Sequence, residues 1–232
     1  YEIPLRLVGS EMCIRDRVTV GTSDFTAQDF YTYYDGTGKE LDGKPDWNNV
    51  TGKGFSIQKD KDLGIIKVIN EMQAIAKELG VEDNLKFFAS SWTPPGWMKL
   101  PTSSSNSYED NELLLKGGKL NDDYIDDLAK YMVRYVEEYQ KCGIPIYAMT
   151  IQNEPLLEIN YPSCAMTGTQ EAKIAKAIKA ELAKSTVLKD NEKEVKLWAF
   201  DHNFDGADKF MADFFKEAGD QLNIDGIAFH PY

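Results

Sequence analysis

The sequence has little positive charge. Its 232 residues carry 26 Lys and Arg against 38 Asp and Glu, which gives a formal net charge of −12. Nucleic acids and anionic membrane surfaces are bound by clustered Lys and Arg side chains, whereas the positive residues here are scattered along the chain. The composition therefore predicts a protein that does not bind nucleic acid.

Long apolar runs, metal-binding patterns and phosphate-binding loops are missing as well. No apolar run approaches the ~20 residues that a membrane-spanning helix needs, so we expect no transmembrane segment. Cys13, Cys142 and Cys164 form neither a disulfide framework nor a metal-type spacing. His202 and His230 lie far apart in sequence, which disfavours a zinc site. Since no glycine-rich loop sits between a strand and a helix, we predict that the protein uses no cofactor.

The first 17 residues, YEIPLRLVGSEMCIRDR, do not have the order of a secretory signal peptide, because basic residues lie within or after the apolar part. The string from Val8 to Arg17 resembles the translation of a sequencing adapter fused to an open reading frame. We therefore expect residues 1–17 to be a non-native segment and the native sequence to begin at about Arg17 or Val18, as a fragment of a longer protein. A short natural strand is the alternative.

From residue 18 onward, short apolar strands alternate with amphipathic helices. Strands are predicted at 18–21, 85–90, 146–151, 195–200 and 225–230. Helices are predicted from Asp60 or Asp62 to Gly80, at 124–142, at 169–185 with Thr169 as its cap, and at 207–218. Strands separated by helices indicate a parallel α/β sheet. A (β/α)8 barrel and an open doubly wound sheet both fit, since both place functional groups at the carboxyl ends of their strands.

Every predicted strand ends in polar or aromatic residues, which form one candidate site. The set is Asp24, Trp92, Trp97, Asn153, Glu154, Tyr161, Asp201, His202, His230 and Tyr232. Aromatic rings can pack on the CH faces of a sugar, while carboxylates and amides bind its hydroxyls. Glycosidases cleave with two carboxyls, one of which is protonated to help the leaving oxygen depart. The pattern therefore favours a carbohydrate site, with Glu154 as the candidate acid.

Five segments, in this order, resemble glycoside hydrolase family 30: VGTSDF, FFASSWTPPGWMK, TIQNEP followed by YPSC, FDHN, and GIAFHPY. The resemblance covers roughly residues 17–232. The family consists of glucosylceramidase-like retaining β-glycosidases of clan A, built on a (β/α)8 TIM barrel. The resemblance therefore implies that residues 18–232 form a partial TIM barrel, with about strands 2 to 6 and their helices.

The resemblance also implies a role for each matching residue. Glu154 takes the place of the general acid/base, and Arg17 matches a family arginine. The substrate-binding positions are matched by Asp24, Phe25, Trp92, Asn153, Tyr161, His230 and Tyr232. Among these, Asn153 would bind the sugar 2-hydroxyl and Asp24 the hydroxyls at the non-reducing end. Phe25 would shape the pocket, Trp92 would line its floor, and the last three would close its rim.

The family nucleophile is a Glu at the end of the seventh strand, which we expect to be missing from this fragment. The resemblance thus implies a secreted or cell-surface parent enzyme that hydrolyses a β-linked glycoside or glucan, and a fragment that is inactive alone. Glucosylceramide, a β-1,6-glucan and a β-xyloside all remain possible substrates. A non-catalytic carbohydrate-binding protein on the same scaffold and another clan A endo-β-glycanase are the alternatives. A glutamate in strand-end context just downstream would favour an enzyme.

Overall fold

The computed structural model describes residues 14–27, 29–35, 54–102, 114–188 and 194–231. Their main feature is one five-stranded parallel sheet with the strand order β1-β2-β5-β6-β7. The strands are β1 (Ile14–Thr19), β2 (Leu85–Ser90), a short antiparallel pair β3 (Lys99–Leu100) and β4 (Lys119–Leu120), β5 (Ile146–Thr150), β6 (Lys196–Asn203) and β7 (Gly226–His230). The helices are α1 (Gln58–Asp62), α2 (Ile65–Glu78), α3 (Ile125–Lys141), α4 (Gly168–Lys184) and α5 (Ala207–Ala218).

The strand order distinguishes the two architectures that the sequence left open. Each strand of the sheet lies beside the next parallel strand along the chain, and α-helices occupy each connection. A doubly wound sheet reverses its strand order at a switch point, and this sheet has no such reversal. The described residues are therefore wound as part of a (β/α)8 barrel, with β1 and β7 as the outer strands.

All five predicted strands are present. The fourth, predicted at 195–200, extends to Asn203 as β6, and the boundary of the first was wrong. It was predicted at 18–21, whereas β1 runs from Ile14 to Thr19 and so begins within the segment predicted to be non-native. Strands of a parallel sheet usually read as apolar runs. Asp16 and Arg17 interrupt that pattern, which is why the apolar signal began too late.

The two faces of the sheet have different chemistry, because successive side chains of a strand point to opposite sides. Val18, Ala89, Met149 and Leu197 lie in register across four strands and are buried in the hydrophobic core. Full burial of a Val, Leu or Met side chain contributes about 1.5–3 kcal/mol to the free energy of unfolding. The packing of this row therefore stabilises the contact between the sheet and its helices. Arg17 alternates to the opposite face, towards the interior of the barrel.

The start of α4 also differs from the prediction. The cap is Thr167 and not Thr169: the Thr167 hydroxyl accepts from the Gln170 amide, and the Gln170 side chain accepts from the Thr167 amide. Gly168 then begins the helix against α5, where an added Cβ would lie 2.0 Å from the Phe210 carbonyl oxygen. The sequence offers two threonines, and this close approach between helices decides which one can cap.

We expect Thr167→Ala to lower the free energy of unfolding by about 1 kcal/mol, because it removes the capping bonds at the start of α4. Thr169→Ala is the matched control and should change it by less than about 0.5 kcal/mol, as is usual for substitutions away from such features. Urea unfolding of the two variants measures the difference. A larger loss for Thr169→Ala would contradict the assigned cap.

Within the described residues, no helix combines the length and the apolar character needed to cross a membrane.

Candidate active site

Polar side chains from all five parallel strands, or from the residues that directly follow them, meet at the carboxyl ends of the sheet. The group consists of Arg17, Ser90, Thr150, Asn153, Glu154, Asp201 and His230. Parallel strands bring their carboxyl ends to one edge, and in barrel enzymes this edge carries the catalytic residues. The predicted convergence of strand-end residues is therefore present in the structure.

The Arg17 guanidinium group on β1 contacts side chains from the other four strands or from the residues after them, since its Nη1 atom lies 3.5 Å from His230 Nε2. Its Nη2 atom donates to Asp201 Oδ2, Asn153 Oδ1 and Ser90 Oγ, each at 2.7 Å. The guanidinium carbon also lies 4.6 Å from the centroid of the Trp92 ring, a distance at which the cation is attracted to the aromatic face. Arg17 therefore fixes the relative positions of three polar side chains and of the Trp92 ring.

Asp201 is held as a buried carboxylate. Burial by itself would raise its pKa, but the hydrogen bond with His230, the Arg17 charge, and bonds from Ser90 and Thr150 outweigh that effect and keep the pKa below its usual value. Two of these donors, the Ser90 and Thr150 hydroxyls, lie 2.7 Å from Oδ2. Both carboxylate oxygens of Asp201 have hydrogen-bond partners. The position of its negative charge relative to the neighbouring groups is therefore fixed.

Glu154 lies four residues after the end of β5, in a conformation that non-glycine residues seldom adopt, with φ of 49°. Its amide donates to the Asp201 carbonyl oxygen at 3.0 Å. Its Oε1 atom lies 3.3 Å from His230 Nδ1 and 3.8 Å from His202 Nδ1, and Oε2 accepts from the Tyr161 hydroxyl at 3.4 Å. The residue is 9% exposed. The carboxyl is therefore oriented by its neighbours and reaches the surface of the site.

His230 links the two acidic residues. Its Nε2 atom lies 3.0 Å from Asp201 Oδ1 while its Nδ1 atom faces Glu154. The hydrogen bond to Asp201 raises the pKa of His230 above its ordinary value, although burial opposes the change. For His202 burial dominates and lowers the pKa. The pKa values of the two imidazoles near Glu154 are thus shifted in opposite directions, and a protonated His230 can donate to both carboxylates at once.

A buried lysine supports the loop that carries Tyr161. Lys99 Nζ donates to Thr93 Oγ1 at 2.9 Å and to the carbonyl oxygens of Ser163 at 2.8 Å and Leu115 at 3.3 Å. Burial lowers the pKa of Lys99 to about 8. The side chain connects three segments of the chain, and through Ser163 it holds the loop that places Tyr161 beside Glu154. Sequence reasoning did not identify this residue.

Glu171 was also missed. It lies in the first turn of α4, is fully buried, and accepts from the Phe200 amide at 2.9 Å. Phe200 and the following Asp201 both have positive φ values, of 74° and 46°. Among the described residues, the hydrogen-bond partner of Glu171 is a backbone amide. No sequence pattern indicates a contact of this kind.

The protonation of Glu171 predicts a pH effect on stability. Burial raises the pKa of Glu171 from 4.5 to about 8, although the Phe200 amide opposes this. Between these pH values the native state binds more protons than the unfolded state, so the residue's contribution to the free energy of unfolding falls as the pH rises. Glu171→Gln does not titrate, and we expect the variant to gain stability relative to wild type between pH 5 and pH 8. Urea unfolding at both pH values measures the change; a parallel response of the two proteins would contradict it.

The structure brings most of the predicted site residues together, but not all of them. Asn153, Glu154 and His230 belong to the cluster described above, Trp92 contacts it through Arg17, and Tyr161 contacts it through Glu154. Asp24 and Phe25 lie in the turn after β1, and both are exposed, Phe25 at 89%. None of the contacts found among the described residues joins either side chain to Glu154. Tyr232 lies outside the described residues.

Trp97 is a packing residue. Its indole nitrogen donates to the Tyr34 carbonyl oxygen, and its ring packs edge-on against those of Tyr34 and Tyr124. Glu158 lies four residues after Glu154. Its carboxyl accepts from the Thr102 hydroxyl and the Gly118 amide.

In the parts of the chain that the structure describes, no group of three or more His, Cys, Asp or Glu side chains is arranged to hold a metal ion. The expectation that the protein uses no cofactor stays a prediction.

Comparison with known proteins gives consistent matches. The model of the glycosyl hydrolase family 30 TIM-barrel domain matches residues 9–232. Endo-1,6-beta-D-glucanase neg1 of Aspergillus fumigatus is 28% identical over 221 residues, which cover 93% of this chain and 41% of the glucanase. Lysosomal acid glucosylceramidase of Mus musculus is 27% identical over 157 residues, which cover 67% of this chain and 26% of the mouse protein.

Among solved structures, the endo-beta1,6-glucanase BT3312 superposes with a TM-score of 0.69 and 26% sequence identity. The match covers 94% of this chain and 43% of that one. The chain therefore spans about two fifths of the length of the β-1,6-glucanases that it matches.

Proposed function

The chain belongs to glycosyl hydrolase family 30, and from this we propose that it is part of a retaining β-glycosidase in which Glu154 is the general acid/base. The observation that carries the proposal is the placement of Glu154. Its carboxyl lies beyond the carboxyl end of β5, in a residue that is 9% exposed, with one oxygen beside His230 and the other beside Tyr161. This is where a barrel enzyme places a group that acts on its substrate.

Glu154 would act twice in a double displacement. In the first step its carboxyl gives a proton to the glycosidic oxygen as the bond from that oxygen to the anomeric carbon breaks, and a nucleophilic carboxylate bonds to the anomeric carbon. In the second step the Glu154 carboxylate takes a proton from water as the water oxygen attacks the same carbon and the nucleophile departs. The neighbouring His230 and Tyr161 hold the carboxyl in place through both steps.

The nucleophile is a separate part of the proposal. Retaining glycosidases place the two carboxyls ~5–5.5 Å apart. Asp201 is the acidic residue joined to Glu154 through His230, but it is 3% exposed and held by Arg17, Ser90 and Thr150. Such a carboxylate is too constrained to form a bond with a sugar. We therefore assign the nucleophile to a glutamate of a further barrel strand, outside the described residues.

The substrate we propose is a β-1,6-linked glucan, because relatives that match 93% of the chain are named endo-1,6-beta-D-glucanases. Arg17 binds the Asn153 amide through Oδ1, which leaves Nδ2 to donate to the sugar 2-hydroxyl. Trp92 would form the floor, with Tyr161, His230 and Tyr232 at the rim, and Asp24 and Phe25 would bind sugar at the turn after β1. Glucosylceramide, and with it a role in sphingolipid metabolism, is the second candidate, because another relative is named a glucosylceramidase.

Product stereochemistry tests the proposal. The full-length protein should release the β-anomer first from a β-1,6-linked gluco-oligosaccharide, since double displacement retains configuration. Following the anomeric proton by NMR in the first minutes shows which anomer forms. An initial α-anomer would contradict the mechanism, and binding of the oligosaccharide without turnover would favour the non-catalytic carbohydrate-binding alternative.

We propose that the full-length protein acts outside the cell or at its surface. A polymeric glucan cannot cross a membrane, so an enzyme that cleaves it must meet it outside. Assay of β-1,6-glucan hydrolysis in washed cells, culture medium and lysate of the source cells tests this; activity confined to the lysate would contradict it.

The origin of residues 1–17 also remains a proposal. The contacts that Arg17 makes with Asp201, Asn153 and Ser90 favour placing the junction with the adapter-derived segment before Arg17 and not after it, whereas β1 already begins at Ile14 and the family model matches from residue 9. Independent nucleotide reads across this junction decide the matter, and continuous genomic sequence through codons 8–17 would overturn the proposal.

A further inference from the structure

Glu171 is a fully buried acidic residue for which the proposed mechanism has no use. We propose that Glu171 is a positioning residue for the acid/base: it holds the backbone turn at Phe200 and Asp201, and that turn fixes Glu154. The inference rests on the proposed role of Glu154.

The burial of Glu171 needs an explanation beyond helix stability. Acidic side chains in the first turn of a helix interact favourably with the helix dipole, but they do so at the surface, without the cost of burying a carboxyl. Glu171 instead reaches into the sheet, where Oε2 accepts from the Phe200 amide at 2.9 Å. Its Oε1 atom is buried with no hydrogen-bond partner among the described residues. The hydrogen bond with the Phe200 amide is therefore the contact that the buried Glu171 carboxyl makes.

The contact lies where the backbone of β6 is strained. Phe200 and Asp201 both adopt positive φ values, and the pairing of β6 with β7 shifts register between Phe200 and His202. An irregularity of this kind changes the direction in which a strand's side chains point. The Phe200 amide donates to the Glu171 carboxyl. A side chain of α4 therefore accepts the hydrogen bond that anchors the turn.

The turn is connected to the acid/base by two routes. The Asp201 carbonyl oxygen accepts from the Glu154 amide at 3.0 Å. The Asp201 carboxylate also binds His230, whose other ring nitrogen faces Glu154 Oε1. Relaxation of the turn would therefore move both the backbone and the carboxyl of Glu154.

Two variants of the full-length protein separate the hydrogen bond from the charge. Glu171→Gln keeps an oxygen that accepts from the Phe200 amide, and we expect its kcat to stay close to that of wild type. Glu171→Leu removes the acceptor and should lower kcat by up to ~10²-fold, the cost of a misplacement of about 1 Å, with KM little changed. The loss should be larger for glycosides with poor leaving groups, which need the proton from Glu154, and hydrogen exchange of the Phe200 amide should accelerate.

Where Glu171→Leu does not fold, Glu171→Asp decides, because its carboxyl is one methylene too short to reach the amide and should reproduce the kcat loss. Wild-type kcat and leaving-group dependence in a folded Leu or Asp variant would overturn the inference. A kcat loss that does not depend on the leaving group would also overturn it, since a general loss of structure has that effect. Glu154→Gln measured in parallel tests the proposed function: full turnover in that variant refutes the role of Glu154, whatever the Glu171 variants show.

Discussion

Glu154→Gln in the full-length protein is expected to lower the turnover of a β-1,6-linked gluco-oligosaccharide by about 10²–10⁴-fold, the usual contribution of general acid–base catalysis. The amide cannot give a proton to the leaving oxygen. Its size and its contacts with His230 and Tyr161 are nearly those of the carboxyl, so we expect substrate binding to remain. Steady-state kinetics with the oligosaccharide measures both effects.

The leaving group provides an internal check on this result. An aryl glycoside with a good leaving group needs little protonation, so the variant should still form the glycosyl-enzyme rapidly and then stall for want of a base. Glu158→Gln is the matched control, because Glu158 lies four residues away in the same loop and its contacts are with Thr102 and Gly118. Unchanged oligosaccharide turnover in Glu154→Gln would remove Glu154 from the mechanism.

Arg17→Met is expected to lower the free energy of unfolding by about 3 kcal/mol, the lower end of what is lost when one partner of a buried ion pair is removed. Asp201 would remain as a buried carboxylate that has lost its guanidinium. The low end applies because the Arg17 side chain is 28% exposed and a protonated His230 can replace part of its charge. For the same reason the loss should be smaller below the pKa of His230, which lies above its ordinary value.

Arg134→Met is the control for this measurement. The Arg134 side chain is 24% exposed and pairs with Glu137 and Glu138 on α3, so the loss of charge and length is the same. Its partners Glu137 and Glu138 are 14% and 20% exposed, against 5% for Asp201, so we expect a loss closer to that of a surface pair, which contributes about 0–1 kcal/mol. Urea unfolding measures the free energy of unfolding of both variants. Equal losses would contradict the expectation that the Arg17 contacts stabilise the fold more than those of Arg134.

The sequence predicted the elements and their order because periodicity and breaking residues report on local structure. All five parallel strands are present, and the resemblance to glycoside hydrolase family 30 is confirmed. The errors occur where a tertiary contact decides. The apolar pattern of β1 is interrupted because the Arg17 side chain points towards the interior of the barrel. Thr167 caps α4 because Gly168 must pack against α5.

The candidate site was predicted to a similar extent. Strand-end residues such as Asn153, Glu154 and His230 carry their signal in the sequence, since a polar group that directly follows an apolar strand is conspicuous. Lys99 and Glu171 carry none, because each acts through backbone groups that are distant in sequence. The roles of Asp24, Phe25 and Tyr232 in binding sugar stay predictions.

The most direct test of Glu154 as the acid/base is the product that Glu154→Ala, in the full-length protein, makes in the presence of azide. An aryl β-glycoside with a good leaving group should still form the glycosyl-enzyme in this variant, and a small anionic nucleophile needs no general base to attack it. Azide should therefore restore turnover and yield the β-glycosyl azide, identified by NMR. Turnover that does not respond to azide, or an α-glycosyl azide, would contradict the role of Glu154.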